Sequence, residues 1–225
     1  TCKCKPMITS TVENYLKALY LQQQGTEDRV STGALAESLS VTPGSATAMI
    51  KALAEAGLVE HTSHRGARLT AKGSNLAVHV IRRHRIIELF LVEILGLDWS
   101  EVHDEAEQLE HVISDAVLAR MDEMLGHPTA DPHGDPIPTA RGTLPHRRVR
   151  RLSDCASGDQ IAVERIGDQD PKFLRFVEAS GLRPGAVVEV IDRDEDADAM
   201  TLTCDGENVV LALAAAGRIE VGNHH

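Results

Sequence analysis

The sequence predicts a mainly α-helical protein with a small β domain at its C-terminal end. From Thr9 to Leu125, apolar residues recur every three or four positions, which is the pattern of amphipathic helices. From Gln160 onward, short segments alternate between apolar and polar residues, as half-buried strands do. Five of the nine prolines lie between Gly126 and His146, where they exclude regular helix and central strand. We therefore expect helical domains first, then an extended linker, then the β domain.

Length and charge indicate more than one domain. The 225 residues suffice for two or three small domains. The net charge is −11, but residues 1–74 carry a net charge of +2 and residues 75–225 a net charge of −13. An acidic protein is a poor candidate for binding nucleic acid, yet its N-terminal third is mildly basic. That third is electrostatically a separate part of the chain.

Composition favours a cytoplasmic protein with no membrane partner. No run approaches the roughly 18 apolar residues that a membrane span requires. The N-terminus shows no charged-then-apolar leader of the secretory kind. The cysteines are too few and too scattered for a disulfide framework, which fits a reducing compartment, and they are Cys2, Cys4, Cys155 and Cys204.

The first third predicts three helices followed by a hairpin. Apolar spacing indicates helices over Thr9–Gln24, Ser31–Leu39 and Pro43–Ala56. Thr42 is a suitable N-cap for the third helix, and proline is acceptable in its first turn. Two β-rich pieces, Leu58–Ser63 and Ala67–Thr70, follow across a basic tip. This order of elements is that of a winged helix-turn-helix.

A winged helix of this kind would place its third helix in a major groove of DNA and its hairpin on the flanking backbone. Ile50 and Leu53 face inward on that helix, so small polar and basic residues face outward, where they suit base edges and phosphates. The alternative is a small helical domain with a hairpin that does not bind DNA. The candidate DNA contacts are Thr42, Pro43, Gly44, Ser45, Thr47, Ala48, Lys51, Arg65 and Arg68.

Two longer helices are predicted next, over Ala71–Leu95 and Ser100–Leu125. Gly96 ends the first of them, and Ser100 begins the second. Both helices are apolar on more than one face, which is too much for a lone helical hairpin. A helical dimer interface is the simplest place to bury the surplus, so we expect a homodimer.

These two helices carry a candidate metal site. On one helix, His103, Glu107, Glu110 and His111 would fall within an arc of about 100°. His84 and Glu88 stand four residues apart on the preceding helix, so six carboxylate and imidazole groups could surround a divalent ion. The alternative is that they are surface helix pairs. We expect the histidines of the proline-rich stretch to be exposed to solvent.

The last third predicts a small barrel. Strand-like segments are short and are separated by turns such as Asp205-Gly206. A helix from Pro171 to Ser180 interrupts them. Five short strands in about seventy residues are typical of an SH3-like barrel. The strand segments are Gln160–Ile166, Ala186–Ile191, Thr201–Cys204, Val209–Leu211 and Arg218–Val221.

At this point the order of parts and the residues themselves resemble a known family. The chain is similar to metal-dependent transcriptional repressors of the diphtheria toxin repressor and manganese transport regulator family over nearly its whole length. The resemblance rests on several motifs in the right order. They are Thr11-Val12-Glu13-Asn14-Tyr15-Leu16-Lys17, Gly57-Leu58-Val59, Arg83-His84-Arg85, Val102-His103-Asp104-Glu105-Ala106, Glu110-His111-Val112-Ile113-Ser114 and Asp131-Pro132-His133-Gly134-Asp135-Pro136-Ile137-Pro138.

The resemblance implies a homodimeric repressor that binds double-stranded operator DNA, with two dimers on one operator as an option. The resemblance also implies that the protein is not an enzyme. The implied parts are a DNA-binding domain over 1–74, a helical metal-binding and dimerisation domain over 75–126, a proline-rich linker over 127–148 and an SH3-like (FeoA-like) domain over 149–225.

The metal preference follows from departures within the family. Where the iron-responsive branch has cysteine, this chain has Glu107, as the manganese-responsive branch does, and a carboxylate suits Mn²⁺. Asn14 occupies the position of a ligand on the first helix, whereas Lys17 cannot coordinate a metal where some members carry an acid. We expect Mn²⁺ first and Fe²⁺ next, with Zn²⁺, Co²⁺ or Cd²⁺ able to substitute in vitro.

The resemblance also implies two ligand sets. One comprises His84, Glu88 and His103, completed by Asp170 or Asp168 from the barrel. Asp170 has the alternative role of capping the helix at Pro171. The other set comprises Glu107, Glu110, His111 and Asn14.

Three other functions remain alternatives. One is an iron-dependent repressor of the same family. A zinc hydrolase is more distant, because the helix lacks a His-Glu-x-x-His arrangement and no general base stands out. A thiol-based redox regulator would depend on Cys155 and Cys204, which we instead predict to be small buried hydrophobes.

Overall fold

The computed structural model describes four stretches of the chain, namely residues 9–23, 29–63, 65–144 and 150–223. Cys2, Cys4, His64, His146 and the two terminal histidines lie outside them. The described residues form two compact units. The first lies within Thr1–His84, Glu110–Ile113 and Pro138–Leu144, and the second within Arg85–Leu109, Ser114–Ile137 and Pro145–His225.

The first unit is a winged helix-turn-helix, as the sequence predicts. The side chain of Ser31 accepts a hydrogen bond from the Ala34 amide and begins the second helix. Thr42 does the same for the third helix through the Ser45 amide, directly before Pro43. Its elements are α1 (Ser10–Gln23), α2 (Thr32–Ser38), α3 (Pro43–Glu55), β1 (Val59–Thr62), β2 (Gly66–Leu69) and the first part of α4 (Ala71–Glu93).

A single apolar core holds these elements. Each helix buries one stripe, so the remaining faces stay polar and exposed. For α3 the buried stripe is Ala46, Ile50 and Leu53. The other members of the core are Tyr15, Leu16, Leu19, Val30, Leu35, Ala36, Leu58, Val59, Ala67 and Ala77.

The segment before α2 forms an isolated antiparallel bridge to the hairpin. Val30 exchanges two backbone hydrogen bonds of 2.9 Å with Ala67, and β1 pairs with β2 in antiparallel register. This close approach requires glycine at position 66, where φ is +88° and a Cβ atom would lie 2.2 Å from the Val30 carbonyl oxygen.

In the second unit, the predicted long helix over Ser100–Leu125 is wrong. The chain forms α5 (Val102–Leu109) and α6 (Asp115–Met124) instead. Ser114 accepts a hydrogen bond from the Val117 amide and so begins a new helix. Glu110 and His111 therefore lie in the turn after α5 and do not share a helical stripe with His103.

α6 has no buried residue within the single chain. Val117 and Met124 on this helix are both about half exposed. An apolar helix face without intramolecular cover is what a dimer interface requires.

The proline-rich stretch forms no helix or strand over residues 126–144, apart from one isolated bridge between Ala130 and Pro136. It is nevertheless packed. The expectation that its histidines are exposed is wrong for His133, which is fully buried, whereas His127 is exposed. Gly134 has a φ of +87°, and a Cβ atom there would lie 2.0 Å from the Glu164 carbonyl oxygen. The stretch is thus seated against the strand that carries Glu164.

The C-terminal part is an SH3-like domain with one antiparallel sheet of strand order β3-β8-β4-β5-β6-β7. Two register shifts, after Val163 in β4 and after Val190 in β5, bend the sheet. The predicted strands and helix are present, with β3 and α8 in addition. The elements are β3 (Arg150–Arg151), β4 (Gln160–Ile166), α7 (Pro171–Ala179), β5 (Val187–Asp194), β6 (Ala199–Cys204), β7 (Glu207–Ala212), α8 (Leu213–Ala216) and β8 (Ile219–Asn223).

The core of the second unit contains both described cysteines. Cys155 and Cys204 are buried among the strands and are not disulfide-bonded. Burial raises the pKa of both thiols, so neither is readily ionised. They pack as small hydrophobes, as predicted. No helix of the described residues is long and apolar enough to cross a bilayer.

We expect Gly66→Ala to lower the free energy of unfolding by roughly 2–4 kcal/mol, because the new Cβ meets backbone and the φ is left-handed. Urea denaturation of purified protein measures the change. The matched control is Gly33→Ala, where the nearest atom is a serine hydroxyl at 3.9 Å and the site is helical. Equal stability of the two variants would contradict this account of the hairpin.

Candidate metal centre

Polar side chains of the first unit gather around a carboxylate that is completely buried, Glu110. α1 supplies three of them at spacing i, i+1 and i+4, which share one side of the helix. The core stripe of the same helix, including Leu16 and Leu19, fixes its orientation. We call this set the Glu110 cluster: Glu13, Lys17, His84, Glu110 and His111, together with Asn14, which is included because it lies on the same side of α1 as Glu13 and Lys17.

His111 is oriented by a carboxylate from α1. Its Nδ1 lies 2.6 Å from Glu13 Oε2. A carboxylate only accepts, so Nδ1 carries the proton, and Nε2 of the neutral ring keeps its lone pair. Nε2 is buried, makes no hydrogen bond among the described residues and lies 3.5 Å from Glu110 Oε1. A histidine held in this tautomer by a carboxylate is the usual arrangement of a metal ligand.

Two further acceptor atoms of the Glu110 cluster have no hydrogen bond within the described stretches. They are Asn14 Oδ1 and Glu110 Oε1, and both are buried. Buried polar atoms are normally paired, because leaving one unpaired costs about 1–3 kcal/mol. Two oxygens and one imidazole nitrogen left without donors fit a divalent cation of the Mn²⁺ or Fe²⁺ type.

Lys17 reaches the other oxygen of the same carboxylate. Its Nζ donates to Glu110 Oε2 at 2.9 Å and lies 3.0 Å from His84 Nδ1. His84 Nδ1 in turn is 2.6 Å from Glu110 Oε2. The sequence excludes Lys17 as a ligand but does not predict that its ammonium enters the cluster.

A second group lies in the second unit. We call it the Glu88 cluster: Glu88, His103, Glu107, Asp131 and His133. His103 Nδ1 is 3.2 Å from Glu88 Oε1, and His103 Nε2 is 3.9 Å from Glu107 Oε1. Glu88, Asp131 and His133 are all buried and offer ligand-type atoms within 4.8 Å of one another. The proline-rich stretch thus adds Asp131 and His133 to the predicted residues.

His133 has the geometry of a ligand or of a partner to one. Its Nε2 lies 2.9 Å from the Trp99 carbonyl oxygen, which can only accept, so Nε2 carries the proton. Its Nδ1 is buried, has no hydrogen-bond partner in the described part of the chain and faces Glu88 Oε2 at 3.9 Å. The Trp99 ring stacks on the imidazole at 5.3 Å between centroids.

Arg85 compensates part of the negative charge of the Glu88 cluster. It donates to Asp135 Oδ1 at 2.9 Å and lies 3.7 Å from Asp131 Oδ2. Asp131 Oδ1 accepts from the amides of His133 and Asp135. Burial, reinforced by the nearby carboxylates of Asp135 and Glu88, raises the pKa of Asp131 well above its ordinary value. A further cation at this place would therefore interact favourably with these carboxylates.

Both barrel carboxylates predicted as ligands make other contacts. Asp170 caps α7, accepting from the amides of Lys172 and Phe173. Asp168 accepts from Arg218 at 2.7 Å; although burial opposes it, this hydrogen bond lowers the pKa of Asp168. The cleft that contains His103 is lined instead by Gln169, whose buried Oε1 has no hydrogen-bond partner among the described residues.

The predicted DNA-contact residues of α3 form an exposed face. Thr47 is half-buried, and its hydroxyl donates to the Pro43 carbonyl oxygen. The other six residues are exposed, namely Thr42, Pro43, Gly44, Ser45, Ala48 and Lys51. On the hairpin, Arg65 is exposed. Arg68 is exposed as well, but its Nε is 2.7 Å from Glu60 Oε2, so part of its charge is already compensated.

Sequence reasoning misses five residues of the two clusters and the cleft, namely Glu13, Lys17, Asp131, His133 and Gln169. Glu13 precedes the predicted ligand Asn14 on the same helix, so its position is a usable signal. For Asp131 and His133 the signal is the two acids around a histidine, which the surrounding prolines hide by suggesting a solvated linker. No local signal marks Gln169.

Three family models match the chain. Residues 7–67 match the N-terminal DNA binding domain of the iron dependent repressor, residues 70–139 match its metal binding and dimerisation domain, and residues 150–223 match the FeoA domain.

Full-length relatives match as well. The iron-dependent repressor IdeR of Mycobacterium tuberculosis is 31% identical over 95% of this chain and 97% of its own length. The diphtheria toxin repressor of Corynebacterium diphtheriae is 31% identical over 95% of this chain and 98% of its own length.

Among solved structures, a manganese-dependent transcriptional repressor in complex with manganese is 42% identical, with a TM-score of 0.87 over 95% of this chain and all of that one. ScaR with bound Zn²⁺ is 32% identical, with a TM-score of 0.77 over 95% of this chain and 99% of that one. Manganese, zinc and iron thus all occur in the names of similar proteins.

The raised pKa of Asp131 predicts a stability that depends on pH. A carboxyl whose pKa is higher in the folded than in the unfolded protein contributes stability fully below the unfolded value of about 3.8, and loses it as the pH rises through the folded value. Asp131→Asn keeps the acceptor oxygen and removes the charge. In chelator, we expect the variant to gain stability relative to wild type as the pH rises. Parallel urea midpoints at all pH values would contradict this.

The contact between Glu13 and His111 predicts a second effect. Glu13→Ala frees the His111 ring, and we expect Mn²⁺ to bind about 10- to 100-fold more weakly in calorimetric titration. Glu13→Gln keeps an acceptor and should lose less. Glu37→Ala, on the exposed face of α2, is the matched control. Unchanged affinity in Glu13→Ala would remove His111 from the ligand set.

Proposed function

The chain belongs to the iron-dependent repressor family of metal-dependent, DNA-binding transcriptional repressors, and we propose that it is a manganese-responsive member. The family consists of repressors rather than enzymes, so the zinc-hydrolase alternative is not supported. It carries a dimerisation domain, and its partners are operator DNA and a second copy of the chain.

One observation carries the proposal. Three ligand-type atoms of the Glu110 cluster, on Asn14, Glu110 and His111, are buried without hydrogen bonds among the described residues. Asn14 belongs to α1 of the winged helix, whereas Glu110 and His111 belong to the turn after α5. A cation bound by these three residues would therefore link the winged helix to that turn, which would couple metal binding to DNA binding.

The donor types support manganese over the other metals. Every candidate ligand atom of the two clusters belongs to a carboxylate, an amide oxygen or an imidazole. Glu107 in the Glu88 cluster is a carboxylate, whereas a thiolate at this position would favour softer metals. The described cysteines lie in the core of the C-terminal domain and contribute to neither cluster. Fe²⁺ is the second choice, because iron-dependent repressors are among the relatives.

For the ligands we propose Asn14, Glu110 and His111 in the first unit, and Glu88, His103 and Glu107 in the second. From the barrel, Gln169 replaces Asp170 and Asp168 as the candidate, because it lines the cleft of His103. That His84 is a ligand stays a prediction, and its Nδ1 lies 2.6 Å from Glu110 Oε2.

A bound divalent ion supplies positive charge to carboxylates that otherwise repel one another. The chain's own residues then determine the response. Asn14 anchors α1, Glu13 keeps His111 in its ligand tautomer, and α3 presents its exposed face to a major groove. In a homodimer, two such helices would meet half-sites about one helical turn apart or a multiple of it.

The finer parts of the model are proposals too. Thr42, Ser45, Thr47 and Lys51 would contact bases and phosphates from α3, and Arg65 the backbone from the hairpin. Two dimers on one operator and a cytoplasmic location belong to the same model. So do the domain limits at residues 74, 126 and 148.

The deciding experiment is DNA binding by fluorescence anisotropy with Mn²⁺, Fe²⁺, Zn²⁺ or chelator. We expect roughly 10- to 100-fold tighter binding with Mn²⁺ than with chelator, which corresponds to about 1.4–2.8 kcal/mol of coupling. Glu107→Cys should shift the preference from Mn²⁺ towards Zn²⁺. Affinity that is indifferent to metal in the wild type would overturn the proposed function.

A further inference from the structure

Lys17 is the one described lysine that is buried, with an exposed fraction of 8%. Its ammonium lies within hydrogen-bond distance of Glu110 Oε2, at 2.9 Å, and of His84 Nδ1, at 3.0 Å. Lysine is almost never buried without a paired charge, because removing the ammonium from water is costly. The position of Nζ is therefore set by the Glu110 carboxylate.

Glu110 divides its two oxygens between different environments. Oε2 receives Lys17 and His84, whereas Oε1 has no hydrogen bond in the described part of the chain and faces His111 Nε2 at 3.5 Å. One side of this carboxylate is thus already served by a cation that belongs to the chain. The other side is the side that fits an ion from solution.

We propose that the Lys17 ammonium is a built-in cation of the Glu110 cluster, which takes the place of a divalent ion on Glu110 Oε2. The inference rests on the proposed function, since it concerns how many ions the Glu110 cluster binds. A cluster with an acid in place of Lys17 could hold one ion on each side of Glu110. With Lys17 it holds an ion on the Oε1 side alone.

The chemistry of the ammonium excludes a second ion at this place. A protonated lysine has three donors and no lone pair, so Nζ cannot act as a ligand. A divalent ion bound to Glu110 Oε2 would be close to the ammonium that donates to the same oxygen. The two positive charges repel strongly where solvent does not screen them. Lys17 would have to give up its 2.9 Å contact with the buried Glu110 carboxylate.

The built-in cation also changes what the metal does. Lys17 connects α1 to Glu110 without any metal, so part of the link between the winged helix and the turn after α5 is permanent. Mn²⁺ then adds the remaining link, through Glu110 Oε1, the facing His111 Nε2 and the proposed ligand Asn14. Occupancy of this cluster should follow a simple one-site curve, without the cooperativity of two ions that share a carboxylate.

The test counts bound ions. Equilibrium dialysis of Mn²⁺, quantified by atomic emission, gives the ions per protomer for wild type, Lys17→Glu and Lys17→Arg. We expect Lys17→Glu to bind one more Mn²⁺ per protomer than wild type, with a new spin-coupled signal in its electron paramagnetic resonance spectrum. Lys17→Arg keeps the charge and should keep the wild-type number. Lys72→Glu, an exposed lysine of α4, controls for added acidity.

A second variant keeps the inference testable if Lys17→Glu does not fold. Lys17→Met removes the ammonium without adding a carboxylate, so Glu110 Oε2 loses the cation that lies 2.9 Å away. In chelator we expect its unfolding midpoint to fall by roughly 5–15 °C. Lys17→Arg should restore most of that loss.

The outcomes separate the two proposals. An equal number of Mn²⁺ ions in wild type and folded Lys17→Glu, or an unfolding midpoint of Lys17→Met in chelator equal to that of wild type, would overturn the role of Lys17. Neither result bears on metal-dependent DNA binding. Conversely, wild type that binds no Mn²⁺, or binds DNA equally with and without it, would overturn the proposed function.

Discussion

The burial of the Glu110 carboxylate is the constraint on which the first unit depends. A charged group with no exposed surface must find positive charge or hydrogen-bond donors, because water cannot stabilise it. Lys17 and His84 serve one oxygen and His111 approaches the other, and Glu13 orients His111 in turn. The winged helix is linked to the turn after α5 through these contacts, so a change of charge at Glu110 is also a change in how α1 is held.

In the second unit, too, buried carboxylates are compensated by positive charge and hydrogen-bond donors. Asp135 lies within 2.9 Å of both Arg85 and Arg165, whereas Asp131 relies on two backbone amides and a longer approach to Arg85. The proline-rich stretch makes this possible, because Gly134 lets the backbone pass close to Glu164 while His133 turns inward. What reads as a linker in composition is therefore a structural part of the Glu88 cluster.

The candidate metal ligands and the candidate DNA contacts are separated in the fold. The winged helix exposes one face of α3 and buries the other, and none of its DNA-contact candidates belongs to a cluster. α1 is the element shared by both tasks, since its apolar stripe supports the winged-helix core and its polar side carries Glu13, Asn14 and Lys17. Through α1, a change of charge in the Glu110 cluster can reach the core of the winged helix.

Local patterns in the sequence determine most of the elements. Apolar spacing and caps such as Thr42 place α1 to α3, and alternation places the main strands, because these signals depend on near neighbours. The motif order around His84, His103 and Glu110 identifies the family and most of the candidate ligands. This much required no knowledge of which residues meet in space.

Only the tertiary structure decides the break between α5 and α6, the burial of His133 and the entry of Lys17 into the Glu110 cluster. Two of these depend on a partner distant in sequence: His133 on the Trp99 carbonyl, and Lys17 on a carboxylate 93 residues away. Helical periodicity continues through Ser114 because it records apolar spacing, whereas the turn that frees Glu110 and His111 becomes visible only once Ser114 caps a new helix. The charge balance of a buried site is a property of the packed chain.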